Sequence, residues 1–369
     1  MAQVFNLCHQ HRYHTGATKD VTTNKEMPPS DSLTSEWDLI AALSREFGPP
    51  PAGVVLGIGD DCAAIEIPGP DYLLWTVDTL VEGVHFNLAY TTLSQLGWKS
   101  LTVNLSDIAA MGGDPGFALL SLGWPPARNR GEALEFAAGL AQAAREYGVA
   151  VIGGDTVASP GGINVTVTLT GRVPAQQMLR RAGAKDGDLI FVTGPLGEAA
   201  AGLEILRQGP ELPPELKEAL TEAHLRPRPQ LRAGRLLAQE GLATALIDTS
   251  DGVATDLYHI CRASGVGARL SAGAVPVSPR VTAAAPHLDC DPLDLALAGG
   301  EDYLLLFTAT PEMAGRLPAA FSRAGLAAPL PLGRIVAGDR VVLLTPAGEV
   351  DISGRGYDHF RLDLKGEAQ

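Results

Sequence analysis

The chain has 369 residues, 46% of them hydrophobic and 19% charged, with a formal net charge of −14. That length exceeds one ordinary core and predicts two domains, and the balance of apolar and charged residues excludes a disordered chain. The acidity argues against nucleic acid and anionic membranes as partners, though not against a phosphorylated ligand carried with Mg²⁺. Asp, Gly or Pro interrupts every apolar run before the roughly 20 residues of a membrane span, and the first residues show no export signal. The cytoplasm is therefore the expected location. Cys8, Cys62, Cys261 and Cys290 lack paired spacing and are expected to be reduced.

Residues 1 to about 30 are polar and without period, which predicts a mobile tail. His9, His11 and His14 within it read as solvent-exposed histidines before they read as a metal-binding run. Ser35 opens a capping-box pattern before a helix carrying Leu39, Ile40, Leu43 and Phe47, which Pro49-Pro50-Pro51 stops. Short strands follow at Val54–Ile58, ending in Gly59-Asp60-Asp61, and at Tyr72–Val77, ending at Asp78. The spacing of Leu101, Leu105 and Ile108 predicts a helix over Thr92–Met111. Phe117–Trp124 reads as a strand, Glu132–Tyr147 as a helix, and Val149–Ile152 and Ile163–Val173 as strands. The pattern breaks between Pro174 and Asp188, which places a domain boundary there. A strand at Leu189–Thr193, helices near 197–208, 213–223 and 229–239, and a strand at Thr244–Ile247 come next. A helix at Val253–Ala263, a strand at Tyr303–Thr308 and a helix near 311–324 follow, and a hairpin of Arg334–Val336 with Val341–Leu344 ends the chain. Strands and helices mix without a regular βαβ cadence, so α+β is favoured over a doubly wound sheet.

The chemistry concentrates where apolar runs deliver an acid beside a turn. Asp107 sits among Leu105, Ile108, Ala109 and Met111, where a carboxylate is costly to desolvate unless a cation or donors meet it. The arrangement recurs at Asp60 and Asp61, Asp78, Asp155, Asp248 with Asp251, and Glu301 with Asp302. Taken singly, Gly59-Asp60 and Gly154-Asp155 also read as turns, Asp78 and Asp107 as caps, and Asp248 to Gly252 as an N-cap cluster. Together they point to divalent metal, because Gly lets backbone approach a ligand and Asp supplies a hard oxygen. Neither a Walker A loop, a Rossmann G-x-G-x-x-G opening a helix, nor the protein-kinase set is present, so a nucleotide site here must use carboxylates and metal.

Eight segments carry a resemblance, in order from about residue 36 to 360. They are Gly57–Ala63, Thr76–Phe86, Val103–Asp107, Ile152–Thr156, His224–Pro227, Ile247–Gly252, Gly299–Tyr303 and Gly356–Phe360. In these the chain resembles the thiamine-monophosphate kinase family of the aminoimidazole-ribonucleotide-synthetase-like (PurM-like) superfamily. The resemblance implies ATP-dependent phosphorylation of thiamine monophosphate to thiamine diphosphate with release of ADP, by direct attack of the substrate phosphate. It implies several Mg²⁺ ions on Asp60, Asp61, Thr76, Asp78, Asp107, Asp155, Asp248 and Asp251, with Asp78, Asp107 and Asp248 central to catalysis. Gly154, Asp155, Arg181 and Ser250 match ATP-contacting positions, and His85, Glu301 and Tyr357 match substrate positions. Taken alone, His85 also reads as a core histidine, Tyr357 as packing and Arg181 as a surface cation.

The implied fold is a two-domain PurM-like one, α/β followed by α+β. Residues 31–173 would form the ATP- and Mg²⁺-binding domain, whose sheet and helices pair across a homodimer. Residues 174–363 would form an α+β domain. Thr249 departs from the apolar residue expected between Asp248 and Ser250 and leaves the acids intact. Within the superfamily, selenophosphate synthetase would want a reactive N-terminal Cys with a Lys, and the hydrogenase-maturation relative a C-terminal Cys. The segments Thr76–Phe86 and Gly356–Phe360 favour the thiamine enzyme over aminoimidazole ribonucleotide synthetase. From another class, a non-catalytic binding protein on the same fold would be expected to have lost metal ligands.

Overall fold

A computed structural model describes residues 35–359. The expected mobile tail of residues 1–30, with Cys8 and the three histidines, and the terminal Phe360 lie outside the described residues.

Helix α1 (Glu36–Phe47) starts where the Ser35 hydroxyl accepts from the Asp38 N–H. Strands β1 (Val54–Leu56), β2 (Ala63–Glu66) and β3 (Asp71–Val81) form an antiparallel run. Helix α2 (Leu93–Ala110) has a full capping box of Thr92 and Gln95, and α3 (Arg130–Tyr147) one of Asn129 and Glu132. Strand β4 (Asp114–Trp124) lies between these helices in sequence, and β5 (Ala150–Ala158) and β6 (Asn164–Pro174) follow. The sheet order is β1-β2-β3-β6-β4-β5, antiparallel except for β4 with β5, which α3 connects as a single βαβ crossover.

The second sheet draws on β7 (Leu189–Val192), which helices α4 (Glu198–Gln208), α5 (Pro214–Leu225) and α6 (Leu231–Gln239) separate from β8 (Ala245–Asp248). Helix α7 (Val253–Ser264), β9 (Gly267–Ser271), α8 (Pro279–Ala284), α9 (Pro292–Ala298), β10 (Leu305–Ala309) and α10 (Pro311–Arg323) follow. Strands β11 (Leu330–Val336), β12 (Val341–Thr345) and β13 (Gly348–Asp351) end the described chain. Their order is β13-β12-β9-β11-β7-β10-β8. These two mixed sheets with their helices are the expected α/β plus α+β architecture.

The structure corrects three local expectations. The hairpin of 334–336 with 341–344 does not form, because β9 lies between β11 and β12 and pairs with both; β12 instead turns back on β13. Sequence proximity favoured the hairpin, while β9, far upstream, buries Ala268 and Leu270 and takes the place between the two strands. The strand expected to stop at Asp78 runs on to Val81, paired with β6 throughout. Cys62 and Cys261 are free and buried, whereas Cys290 is disulfide-bonded, against the expectation of four reduced thiols.

The centre of the molecule is α2. It packs on α3, α6, β3, β6 and β8, and so touches both sheets. Leu96, Leu101, Leu105 and Ile108 are fully buried on it, and each such side chain contributes about 1.5–3 kcal/mol of transfer free energy. Its approach to α3 leaves no room for a side chain: a Cβ on Gly97 would lie 2.0 Å from the Phe136 carbonyl oxygen. A helix buried on this many sides carries a polar residue inward only for a reason. Its buried polar residues are Lys99, Ser100, Thr102, Asn104 and Ser106. Among the described residues no helix is long and apolar enough to cross a membrane.

Candidate active site

A cleft of about 1660 Å³ runs between the two sheets, walled by β3, the last turns of α2, the loop after β8 and the segment 299–303. Five chain segments deliver acids to its inner end. The turn after β1 brings Asp61, β3 brings Thr76 and Asp78, and α2 brings Asp107 one turn before its end. Asp248 closes β8, and Asp251 follows in the loop before α7.

Carboxylate oxygens of Asp61, Asp107 and Asp248 all lie within 4.8 Å of one another. The Thr76 hydroxyl donates to Asp107. The Arg181 guanidinium meets Asp61 Oδ1 at 2.7 Å, and the Arg181 backbone N–H donates to Asp60 at 3.2 Å. One cation therefore faces five or more acids. Burial, then the Asp61 charge, pushes Asp60 up to about 7, Asp78 to about 6 and Asp248 to about 8. Burial and then Glu36 raise Asp251 to about 7, and Asp107 rises well above the carboxylate range through burial, Asp78 and Asp248. For Arg181 burial acts the other way, but the charge and hydrogen bond of Asp61 outweigh it and hold the guanidinium charged.

The donor set is all oxygen, and Asp61 Oδ2 is buried without a hydrogen-bond partner. Crowded, desolvated carboxylates with an orphaned oxygen fit a hard divalent cation such as Mg²⁺.

The other wall of the cleft is built differently. Glu301 Oε1 lies 2.6 Å from Lys99 Nζ, and Oε2 lies 2.9 Å from His224 Nδ1. Burial would lift the Glu301 carboxyl, but Lys99 and then His224 hold it far below its ordinary value. Burial, then Lys99, lowers His224, which is therefore neutral at pH 7. His85 accepts from the Val81 N–H through Nδ1 at 3.0 Å, which assigns its proton to Nε2. Burial, then His359, lowers His85 to about 4, so it is a neutral donor. Tyr357 and His359 stack edge-to-face beside it, 4.8 Å apart. Trp37 and Ile40 of α1 complete the mouth.

The cleft thus gathers Asp61, Thr76, Asp78, Asp107, Arg181, Asp248, Ser250, Asp251, His85, Glu301 and Tyr357, with Asp60 directly behind Arg181. It does not gather Gly154 and Asp155 from the same chain. Both lie on β5, the exposed edge strand, and the register places Asp78, Val167, Leu120 and Gly154 in one row across four strands. Three strand spacings amount to roughly 14 Å, too far for one ion to bridge Asp78 and Asp155. The Asp155 carboxylate accepts from the Thr156 N–H, and Gly154 is required by strand contact, since a Cβ there would lie 1.7 Å from the Leu120 carbonyl oxygen. Asp302, beside Glu301, caps α4 by accepting from the Gly197 and Ala199 N–H groups.

Sequence reasoning passed over Lys99 and gave His224 no role. A lone lysine inside the apolar run Leu93–Ala110 was the available signal.

Comparison with known proteins places these observations. The AIR synthase related protein N-terminal domain matches residues 59–173, and the corresponding C-terminal domain matches residues 185–345. The chain is 39% identical over 329 residues to thiamine-monophosphate kinase of Escherichia coli, covering 88% of this chain and 98% of that one. It is 35% identical to the Bacillus subtilis enzyme over 319 residues, 84% of this chain and 95% of the relative. Among solved structures, AaThiL complexed with AMPPCP and TMP superposes with a TM-score of 0.74 at 32% identity, covering 84% of this chain and 93% of that chain. The hydrogenase maturation protein HypE in complex with ATP shares the fold at 21% identity and a TM-score of 0.61, over 84% of this chain and 91% of that chain.

Proposed function

This chain belongs to the thiamine-monophosphate kinase family of AIR synthase related proteins, and from that premise we propose how its cleft works. The reaction moves the γ-phosphoryl group of ATP onto the phosphate of thiamine monophosphate, giving thiamine diphosphate and ADP. One observation carries the assignment of roles: three carboxylates converge within 4.8 Å at one end of a cleft whose other end offers a neutral donor, an anion and an aromatic face.

Asp60, Asp61, Thr76, Asp78, Asp107, Asp248 and Asp251 would hold Mg²⁺. Bound there, the ions would neutralise the phosphate oxygens of donor and acceptor so that two anions can meet. The protein's own groups position. Arg181, whose Nε is buried without a partner, offers a planar donor fork to the ATP phosphates, with Ser250 beside it. His85 presents Nε2–H, Glu301 accepts from the amino group on the pyrimidine ring, and Tyr357 covers the ring face. The acceptor phosphate attacks directly, in line with the leaving ADP, so the acids serve as ligands rather than as nucleophiles.

Gly154 and Asp155 belong, in this reading, to a site completed by a second copy. The outer face of the six-stranded sheet exposes Trp75, Val77, Phe117, Leu119 and Val157, an apolar patch that suits a two-fold partner. Asp155 shares that face through its register with Ser121, Thr166 and Thr79, so a homodimer would carry it to the seam. A solution mass of one chain would overturn the dimer.

The reaction is tested by incubating the chain with ATP, Mg²⁺ and thiamine monophosphate, with free thiamine and aminoimidazole ribonucleotide precursors alongside. Thiamine diphosphate from the monophosphate alone is the expected product. Turnover of a precursor instead would reassign the chain to a sister activity.

A further inference from the structure

Lys99, Glu301 and His224 come from α2, the loop before β10 and α5, and meet as one buried cluster at the ring end of the cleft. Glu301 and His224 line the cavity and Lys99 stands behind them: the Glu301 side chain is 26% exposed, against 3% for Lys99 and 4% for His224. Lys99 thus has no route to solvent, and its charge is directed at one carboxylate oxygen. A lysine buried to this degree is retained for what it holds.

The loop carrying Glu301 is strained. Glu301 at φ 60° and Tyr303 at φ 48° are the non-glycine residues with positive φ among the described residues, and they flank Asp302. Side chains rarely adopt that conformation without a surrounding structure that enforces it. Two backbone bonds, Glu301 N–H to the Ser250 carbonyl at 2.8 Å and Tyr303 N–H to the Thr249 carbonyl at 2.9 Å, tie this loop to the strand end that carries Asp248 and Asp251. On the far side the Trp98 Nε1–H donates to the Pro227 carbonyl at 3.0 Å, and the Arg226 guanidinium stacks 4.3 Å over the same indole. These contacts pin the end of α5 to α2 and so set His224 beside Lys99.

We propose that Lys99 and His224 are positioning residues that fix the Glu301 carboxylate as a permanent anion in the cleft wall, where it selects the cationic, amino-bearing ring system of the phosphoryl acceptor. The inference rests on reading Glu301 as a substrate residue. The cluster works from inside the protein. His224 is neutral, Lys99 balances the carboxylate, and the remaining lone pairs of Glu301 accept from a ligand. A phosphate group placed at this end would meet an anion, so the acceptor enters with its phosphate toward the metal end. The ring end is thereby registered against the phosphate end through the Ser250 and Thr249 bonds.

The test uses the full chain with Mg²⁺ and ATP and compares Lys99→Met, His224→Gln, Glu301→Gln and the double variant Lys99→Met/Glu301→Gln. Glu301→Gln and Lys99→Met are each expected to raise the KM for thiamine monophosphate roughly tenfold or more, with the KM for ATP within about twofold. The double variant is expected to show a KM no higher than Glu301→Gln alone, because Lys99 acts only through that carboxylate. A thiamine monophosphate KM unchanged in Lys99→Met while Glu301→Gln raises it would sink the clamp and leave the substrate reading intact. An unchanged KM in Glu301→Gln would remove the substrate reading and the clamp with it. Equal loss of affinity for both substrates in the lysine variant would show a merely structural role and also overturn the proposal. Should Lys99→Met fail to fold, His224→Gln and the double variant, which leaves no unpaired charge, decide the same question.

Discussion

The two ends of the cleft solve one problem in opposite ways. At the inner end Asp61, Asp107 and Asp248 converge with a single nearby cation among the described residues, Arg181, and burial pushes the carboxyls of Asp78, Asp248 and Asp251 up to between about 6 and about 8. At the ring end one carboxylate, Glu301, has Lys99 and His224 to itself and is held far below the usual range. The protein's own groups leave the acids of the first site uncompensated, the condition under which we propose that it takes Mg²⁺. The second is completed from within and keeps its charge in every state. Incomplete compensation makes the inner end responsive to ligands, and complete compensation makes the ring end a fixed template.

The inner end is most sensitive at Asp107. It sits on α2 between Thr76, which donates to it, and the other two acids. Asp107→Asn keeps the shape and removes a charge from a crowded site. The expected outcome is a fall in kcat of roughly a thousandfold or more, with an unchanged circular dichroism spectrum and a melting temperature in chelator equal to or above that of the wild type. Retained turnover would show that the three acids are not the reacting end.

A metal-free titration sharpens the contrast next. The folded-state values of Asp78, Asp248 and Asp251 are raised above the ordinary aspartate 3.8, to about 6, about 8 and about 7. A carboxyl with a raised folded value favours the folded state when protonated, so its stabilising effect is present at low pH and is lost as pH rises through the folded value. In chelator the melting temperature is therefore expected to fall between about pH 4 and about pH 8. Mg²⁺ should reverse the loss, by an amount that grows with pH as protons are displaced. Glu301 has the opposite sign: its lowered value gives stability that is intact above the ordinary glutamate range and lost only in stronger acid. Melting temperatures in Mg²⁺ and in chelator at several pH values separate the two ends. Parallel curves would mean that the inner acids carry no cation.

The two ends also differ in how far the sequence exposed them. An acid following an apolar run beside glycine is a local pattern, so Asp61, Asp78, Asp107, Asp248 and Asp251 could be picked out one by one, and the family's segment order supplied their grouping. The fold class was legible for similar reasons, because α2, α3 and β6 have strong periods and caps. What stayed hidden depends on long-range pairing. Nothing near Arg334 announces that β9 will slide between β11 and β12, and nothing near Gly154 announces an edge strand three places from Asp78. The clamp at Glu301 was hidden in the same way, since Lys99 and His224 become partners only when α5 docks on α2. Local chemistry shows in the sequence where one segment carries it, and is lost where three must meet.

The smallest expected effect is at His85, which lies between the two ends. Its Nδ1 is occupied by the Val81 N–H, and its charged form is disfavoured first by burial and then by His359, which places its titration near 4. A histidine used as a proton carrier near neutrality would titrate between about pH 6 and about pH 7, so this one donates as a neutral ring at neutral pH. His85→Gln keeps an N–H donor at similar reach and should cost about 1 kcal/mol, roughly fivefold in kcat/KM for thiamine monophosphate. The substrate phosphate has its own ionisation near pH 6, so the informative quantity is the ratio of wild-type to variant kcat/KM across pH. That ratio is expected to be flat from about pH 5.5 to about pH 9. A step in the ratio near neutrality would make His85 a titrating participant and would place a third, switchable charge between an end whose acids the protein leaves uncompensated and an end it compensates from within.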